Sequence, residues 1–146
     1  MSKKIKFKIV TPERTVFEQE VDQITLPVSN GEVTIMPDHR SYIASLKAGE
    51  VMFKVAGKEA FMVVSSGFIE FNNNELVVLA DTAETAEEID VTRAQEARTR
   101  AEEVMKQKQT MSEMEYAKVA AAIEKEMARI RVAKKHHTRG GMHLEQ

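Results

Sequence analysis

The chain has 146 residues, 21 of them basic and 23 acidic, for a net charge of −2. That length suits one domain, or one domain with an appendage, and the charge balance points to neither a nucleic-acid binder nor a solvated tail. The absence of cysteine excludes a disulfide scaffold, Cys-ligated zinc, an iron–sulfur site and a thiol nucleophile. No apolar run approaches the ~20 residues that span a bilayer. The start, Met1-Ser-Lys-Lys-Ile-Lys, lacks the apolar stretch of a secretion signal. A soluble, cytoplasmic chain is expected.

The residues are unevenly distributed. The prolines end at Pro37, and between Gly67 and Gly140 the chain has neither glycine nor proline. Tyr116 is the only aromatic after residue 80, whereas most of the alanine follows Ala80. β-Branched, aromatic and turn residues mark strands, and a long Ala/Glu/Lys/Arg stretch without breakers marks helix. The composition therefore changes near Ala80-Asp81.

The first part reads as short strands. Ile5, Phe7 and Ile9 alternate with Lys4, Lys6 and Lys8, the period of a half-buried strand. Thr11-Pro12-Glu13-Arg14 is a turn, followed by strands over 16–20 and 21–26 that end at Pro27. Ser29-Asn30-Gly31 turns into 32–36, and Pro37-Asp38 closes that segment. Strands over 42–46 and 51–56 flank Lys47-Ala48-Gly49. Gly57-Lys58 reverses the chain into 60–64. After Ser65-Ser66-Gly67, strands over 68–71 and 76–79 flank Asn72-Asn73-Asn74. Eight to ten closely spaced strands predict an all-β sandwich or barrel.

The second part reads as two helices of roughly 20 residues, about 30 Å each. Val91, Ala94, Ala97, Ala101 and Val104 define one face. Tyr116, Ala120, Ile123, Met127 and Ile130 define another with a nearly heptad rhythm. Ser112-Glu113-Met114-Glu115 has the form of a capping box, and the short connection predicts antiparallel neighbours. An alanine seam buries little. At about 0.8 kcal/mol per CH₂, alanine in place of leucine forfeits several kcal/mol, so the first helix should dock weakly.

The chain resembles the epsilon subunit family of F-type ATP synthases, from about Lys6 to Ala133. Three stretches carry the resemblance: Leu26-Pro27 with Gly31-Glu32 and Met36-Pro37-Asp38-His39; Ser66-Gly67-Phe68-Ile69-Glu70 with Val77-Val78-Leu79-Ala80-Asp81-Thr82-Ala83-Glu84; and Ile89-Asp90-Val91-Thr92-Arg93-Ala94. The resemblance implies an α+β chain, with an N-terminal ten-stranded β-sandwich followed by a C-terminal antiparallel two-helix hairpin. The expected divisions are a sandwich over 1–81, a hairpin over 82–135 and a flexible tail over 136–146. It further implies a non-catalytic rotor-stalk subunit that couples proton transport to ATP synthesis. The sandwich would bind the gamma subunit and the c-ring, and Gly31, Glu32 and His39 are the expected contacts. The mobile hairpin would inhibit hydrolysis at the catalytic alpha and beta subunits. Asp38 and Arg40 flank His39 where the family usually has glycine and alanine. A bacterial chain is expected, peripheral at the cytoplasmic face of the plasma membrane.

In some bacterial members of the family the folded hairpin binds ATP through an Ile/Leu-Asp-x-x-Arg-Ala motif, matched here by Ile89, Asp90, Arg93 and Ala94. Carried over by position, Glu84, Arg100, Lys125 and Arg129 complete the set, with lysine at 125 where such relatives have arginine. Arg93 and Arg100 lie two turns apart on one helix face, and guanidinium forks pair with phosphate oxygens. Asp90 and Glu84 suit the adenine amino group or ribose hydroxyls. Lys125 keeps the charge without the fork. ATP would be a regulatory ligand, with no cofactor required. The competing reading is structural: Asp90 and Arg93 as an ordinary helix-start pair, and Arg100 as a solvated side chain.

Other candidates are weaker. Ser65, Ser66 and His39 offer no triad spacing, and no Walker-type loop is present. His136, His137 and His143 read as part of a flexible basic end rather than a metal site. The basic second helix, with Lys118, Lys125, Arg129, Arg131, Lys134 and Lys135, lacks the interleaved aromatics of a nucleic-acid surface and suits an acidic protein partner. The alternative class is a free-standing ATP-sensing or protein-binding module of the same architecture.

Overall fold

The structure is a computed structural model that describes residues 3–107 and 111–139. Ten strands come first: β1 (Ile5–Val10), β2 (Thr15–Val21), β3 (Gln23–Val28), β4 (Gly31–Ile35), β5 (Tyr42–Leu46), β6 (Gly49–Val55), β7 (Lys58–Val64), β8 (Gly67–Asn72), β9 (Glu75–Ala80) and β10 (Ala83–Thr85). A 3₁₀ turn, Ala86–Glu88, leads to α1 (Val91–Met105) and α2 (Glu113–Arg139). The strands are joined in the order β10-β7-β6-β3-β5-β8-β9-β1-β2, with β4 on β3. Every pair is antiparallel except β1 with β9. The ten-stranded sandwich followed by two helices is the architecture expected from the sequence.

Alternation builds the core. Ile5, Phe7 and Ile9 of β1 point inward and are fully buried, while the lysines between them face out. Phe7 meets Phe17 of β2 and Phe53 of β6 with ring centroids 5.5 and 5.4 Å apart, and Phe17 lies 5.0 Å from Phe53. Edge-on and tilted packing of this kind suits the quadrupoles of aromatic rings. The trio joins both layers in one cluster with Ile24, Leu26, Ile69 and Leu76.

Turn chemistry fixes register. Ala56 (φ 52°) and Gly57 (φ 79°) form the two-residue turn between β6 and β7, closed by the Val55–Lys58 pair. A positive φ at both positions matches the twist of a hairpin, but it strains alanine. Asp22 supports this turn by accepting the Ala56 N–H at 2.8 Å. Its other oxygen takes Lys4 Nζ, also at 2.8 Å. Gly67 is required by a close approach: a Cβ there would collide with the Leu79 carbonyl of the neighbouring strand.

Three boundaries differ from expectation. The sheet continues past residue 81, because β10 pairs with β7 through Ala83–Val64, Glu84–Val63 and Thr85–Met62. The helices are unequal, 15 and 27 residues long. α1 ends where the polar Lys106-Gln107 begins, whereas α2 meets no breaker before Gly140. α2 thus runs past the expected end of the hairpin at 135 and takes in 136–139, the first residues of the expected tail. Residues 140–146, including His143, lie outside the described residues.

β7 shows how the hairpin is seated. Ala60 to Val64 are all buried, because the strand is covered on both faces. One face joins the main core, and Phe61 and Val63 pack outward against Ala86, Ala128 and Val132. A continuous apolar run is the mark of a strand covered on both sides. α2 accordingly carries two stripes. Ile130, on the heptad seam, is buried as expected, but Tyr116 at the other end is 43% exposed. The stripe that seats α2 on β7 holds Ala128 and Val132, which the heptad pattern did not include.

Candidate functional site

The chemistry is concentrated where β10, the start of α1 and the second half of α2 meet. Asp90 caps α1, its carboxylate accepting the Arg93 N–H at 3.1 Å. The same carboxylate stands 3.7 Å from the Arg93 guanidinium, whose side chain is 81% exposed. Ala94 is fully buried and is the only buried residue of α1. Ile89 packs against the cluster that holds Phe61, Val63, Ala86, Ala128 and Val132. Arg100 is exposed on α1 and Lys125 is half-buried on α2.

Arg129 is the most heavily committed of these residues. Its Nε donates to Glu84 on β10 in a charged hydrogen bond, and its Nη1 donates to Glu126 Oε2 at 2.7 Å. The side chain is only 16% exposed. Burial alone pulls the Arg129 pKa down, but the hydrogen bond to Glu126 and the charge of Glu84 outweigh it, so the pKa stands above the ordinary arginine value. The nucleotide reading sets Glu84 against the adenine amino group or ribose hydroxyls and Arg129 against phosphate; here the two are bonded to each other. The structure therefore brings Glu84 to Arg129 and Asp90 to Arg93. Glu126 completes the first cluster and was not anticipated, because an acid at i−3 on a charged helix carries no distinguishing signal.

A second charged contact lies further along α2. Lys135 Nζ reaches Glu50 of β6 at 2.6 Å and stands 4.9 Å from the centroid of the Phe61 ring. A cleft of about 540 Å³ opens beside it, lined by Gly31, Glu32, Lys47, Glu50, Phe61, Glu124, Arg131 and Lys135. Gly31 and Glu32, expected as partner contacts, thus share a cleft with the seated end of α2. His39 does not join them. It lies at the far end of β4, in a hollow with Asp38, Arg40 and Asn72 to Asn74. Its ring meets Tyr42 and Phe71 edge-on at 5.9 and 5.8 Å, and its Nδ1 is 2.7 Å from the Arg40 carbonyl oxygen.

The outer face of β5, β8 and β9 carries exposed apolar side chains, with Phe68 and Leu79 in one cross-strand row and Ile43 in the next, opposite Glu70. Ile43 is 74% exposed, Phe68 60% and Leu79 49%. Phe68 pairs directly with Leu79, which in turn pairs with Val10. Exposed apolar side chains grouped in this way mark an interaction face. The sequence held a signal for it. In Gly67-Phe68-Ile69-Glu70-Phe71 the inward positions are Ile69 and Phe71, so Phe68 is apolar at outward parity.

Among the described residues no cluster of three or more His, Asp or Glu side chains suits a metal ion, and no helix is long and apolar enough to cross a membrane.

Comparison with known proteins places both parts. Residues 4–86 match the model of the ATP synthase delta/epsilon chain β-sandwich domain, and residues 87–134 that of its long α-helix domain. The chain is 45% identical over 132 residues to the ATP synthase epsilon chain of Dehalococcoides mccartyi, covering 90% of this chain and 94% of the relative. It is 41% identical over 133 residues to that of Desulforamulus reducens, covering 91% and 99%. Its fold resembles a chain in the Euglena gracilis mitochondrial ATP synthase, OSCP/F1/c-ring, with a TM-score of 0.72 at 21% identity over 86% of this chain and 78% of the other.

Proposed function

The chain belongs to the family of ATP synthase delta/epsilon chains, and on that premise we propose that it serves as a non-catalytic central-stalk subunit whose hairpin restrains ATP hydrolysis. The observation that carries this reading is the division of its apolar contacts. The sandwich has a complete core of its own, whereas the hairpin is seated on a separate, smaller cluster. A rigid body with a weakly seated arm suits a part that anchors at one end and regulates at the other. The exposed face with Ile43, Phe68 and Leu79 is the proposed face for the gamma subunit. The Gly31–Glu32 turn and the His39 hollow, at opposite ends of β4, are proposed contacts with gamma and the c-ring. Through the ring the chain would sit peripherally at the cytoplasmic face of a bacterial plasma membrane and couple proton transport to ATP synthesis. Adding the full chain to the catalytic head with gamma should lower ATP hydrolysis, and a chain ending at Ala86 should not. Equal inhibition by both would remove the hairpin from the mechanism.

ATP is the proposed regulatory ligand of the seated hairpin, with Arg93, Arg100 and Lys125 facing phosphates and Asp90 and Ile89 facing the nucleoside. Arg129 can contribute its fork only in competition with Glu84 and Glu126, so binding should be weak. At ten times its Kd, a ligand specific to the seated form would add about 1.4 kcal/mol to it. A second reading has direct support in the same geometry: Arg129, paired twice and mostly buried, serves as a clamp between α2 and β10 with no nucleotide involved. Equilibrium dialysis with labelled ATP separates the two, since the clamp alone gives no saturable binding at millimolar nucleotide.

A further inference from the structure

The hairpin is held unevenly. Residues 112–118 at its tip are all exposed, and α1 buries only Ala94. The ion pairs of α1 are internal, Arg93 with Asp90 at its cap and Arg98 with Glu102. The buried residues of α2 among those described, by contrast, are Glu126, Ala128, Ile130, Val132 and Ala133. Among the described residues, two charged contacts from α2 to the sandwich start in the same segment, Arg129 to Glu84 and Lys135 to Glu50. These two cations are six residues apart, roughly 9 Å along the helix, and they bracket Val132 in its apolar seat.

We propose that the hairpin opens first by local unfolding of α1 and the leading turns of α2, while residues 126–135 stay anchored on the sandwich by the Arg129–Glu84 and Lys135–Glu50 pairs. This goes beyond a hairpin moving as one rigid unit, and it rests on the reading that the hairpin is mobile. Among the described residues, losing α1 breaks no ion pair to the sandwich, and of its own side chains α1 gives up only one buried residue, Ala94. A helix of 15 residues released from its neighbour is marginal in water, so α1 unwinds rather than swinging away intact. The anchored segment can leave only when two charged contacts and the Phe61–Val63–Val132 cluster are given up together. The device is an order–disorder arm on a fixed base, with the charged pairs setting when the base lets go.

Hydrogen exchange of the full chain, resolved by peptide, tests this. Amides of 91–105 should exchange about tenfold faster or more than those of 126–135, as expected for separate opening units. The double variant Arg129→Gln with Lys135→Met should bring 126–135 up to the rate of α1 and leave β1, β8 and β9 unchanged. Equal rates for the two segments in the unmodified chain would overturn the anchored base while leaving a mobile hairpin. Protection of α1 as strong as that of the sandwich would overturn hairpin mobility itself. If the double variant exchanged like the unmodified chain, the charged pairs would not be the anchor.

Discussion

Val132→Ala should weaken the seat of α2 without touching the sandwich. Val132 is fully buried between Phe61, Val63, Ala86 and Ala128, in a cluster separate from the main core. The substitution removes two carbons, worth about 1.6 kcal/mol in lost transfer free energy at ~0.8 kcal/mol each. A partly relaxed cavity raises the total to about 2 kcal/mol, which is roughly a 30-fold shift in the seating equilibrium. The chain has no cysteine, so a donor at Glu18→Cys and an acceptor at Lys134→Cys, both exposed positions, report seating by energy transfer. In a urea titration the transfer signal should fall at lower denaturant in the variant, while the far-ultraviolet transition of the sandwich keeps its midpoint. If the sandwich midpoint shifted by the same free energy, the cluster under α2 would be part of one cooperative core. The separation of body and arm would then be wrong.

Two further outcomes follow from named contacts. Asp22 has a pKa below the ordinary carboxylate value, held there by the hydrogen bond from Lys4, with the Ala56 N–H adding to it. Its stabilising effect is therefore complete above the unfolded-state pKa and is lost as pH falls through the lower folded value. Asp22→Asn should flatten the acid side of the stability curve, and thermal melts across that range would show it. Lys125→Arg restores a guanidinium fork beside the proposed phosphate path and should tighten ATP binding several-fold by dialysis. No change would mean that residue 125 does not face phosphate.

Much of the fold was legible because the main signals are local. The alternation of Ile5, Phe7 and Ile9 predicted β1. Ser112 and Glu115 predicted a capping box, and both of its bonds form, at 3.2 Å each. β10 was not legible: Ala83-Glu84-Thr85 has no apolar alternation and is a strand only because β7 pairs with it. The seat of α2 was half legible. The unbroken apolar run of β7 signals a covered outer face, but the heptad pattern pointed to the α1 seam and passed over Ala128 and Val132. The site followed the same division. Asp90 and Arg93 are three residues apart, and their pairing could be read from spacing. Glu84 with Arg129 and Glu50 with Lys135 are separated by 45 and 85 residues, and only the packing of α2 on the sheet brings them together.

The most direct measurement is binding of the gamma subunit to the full chain and to its Phe68→Asp variant, made alongside a thermal melt of each. Phe68 is exposed and supports no core contact, so the variant should keep its melting temperature. A stable one-to-one complex with the unmodified chain, lost in Phe68→Asp, is the expected result. Unimpaired binding by the variant would move the docking face away from β5, β8 and β9, and no complex with either chain would contradict the rotor-subunit reading.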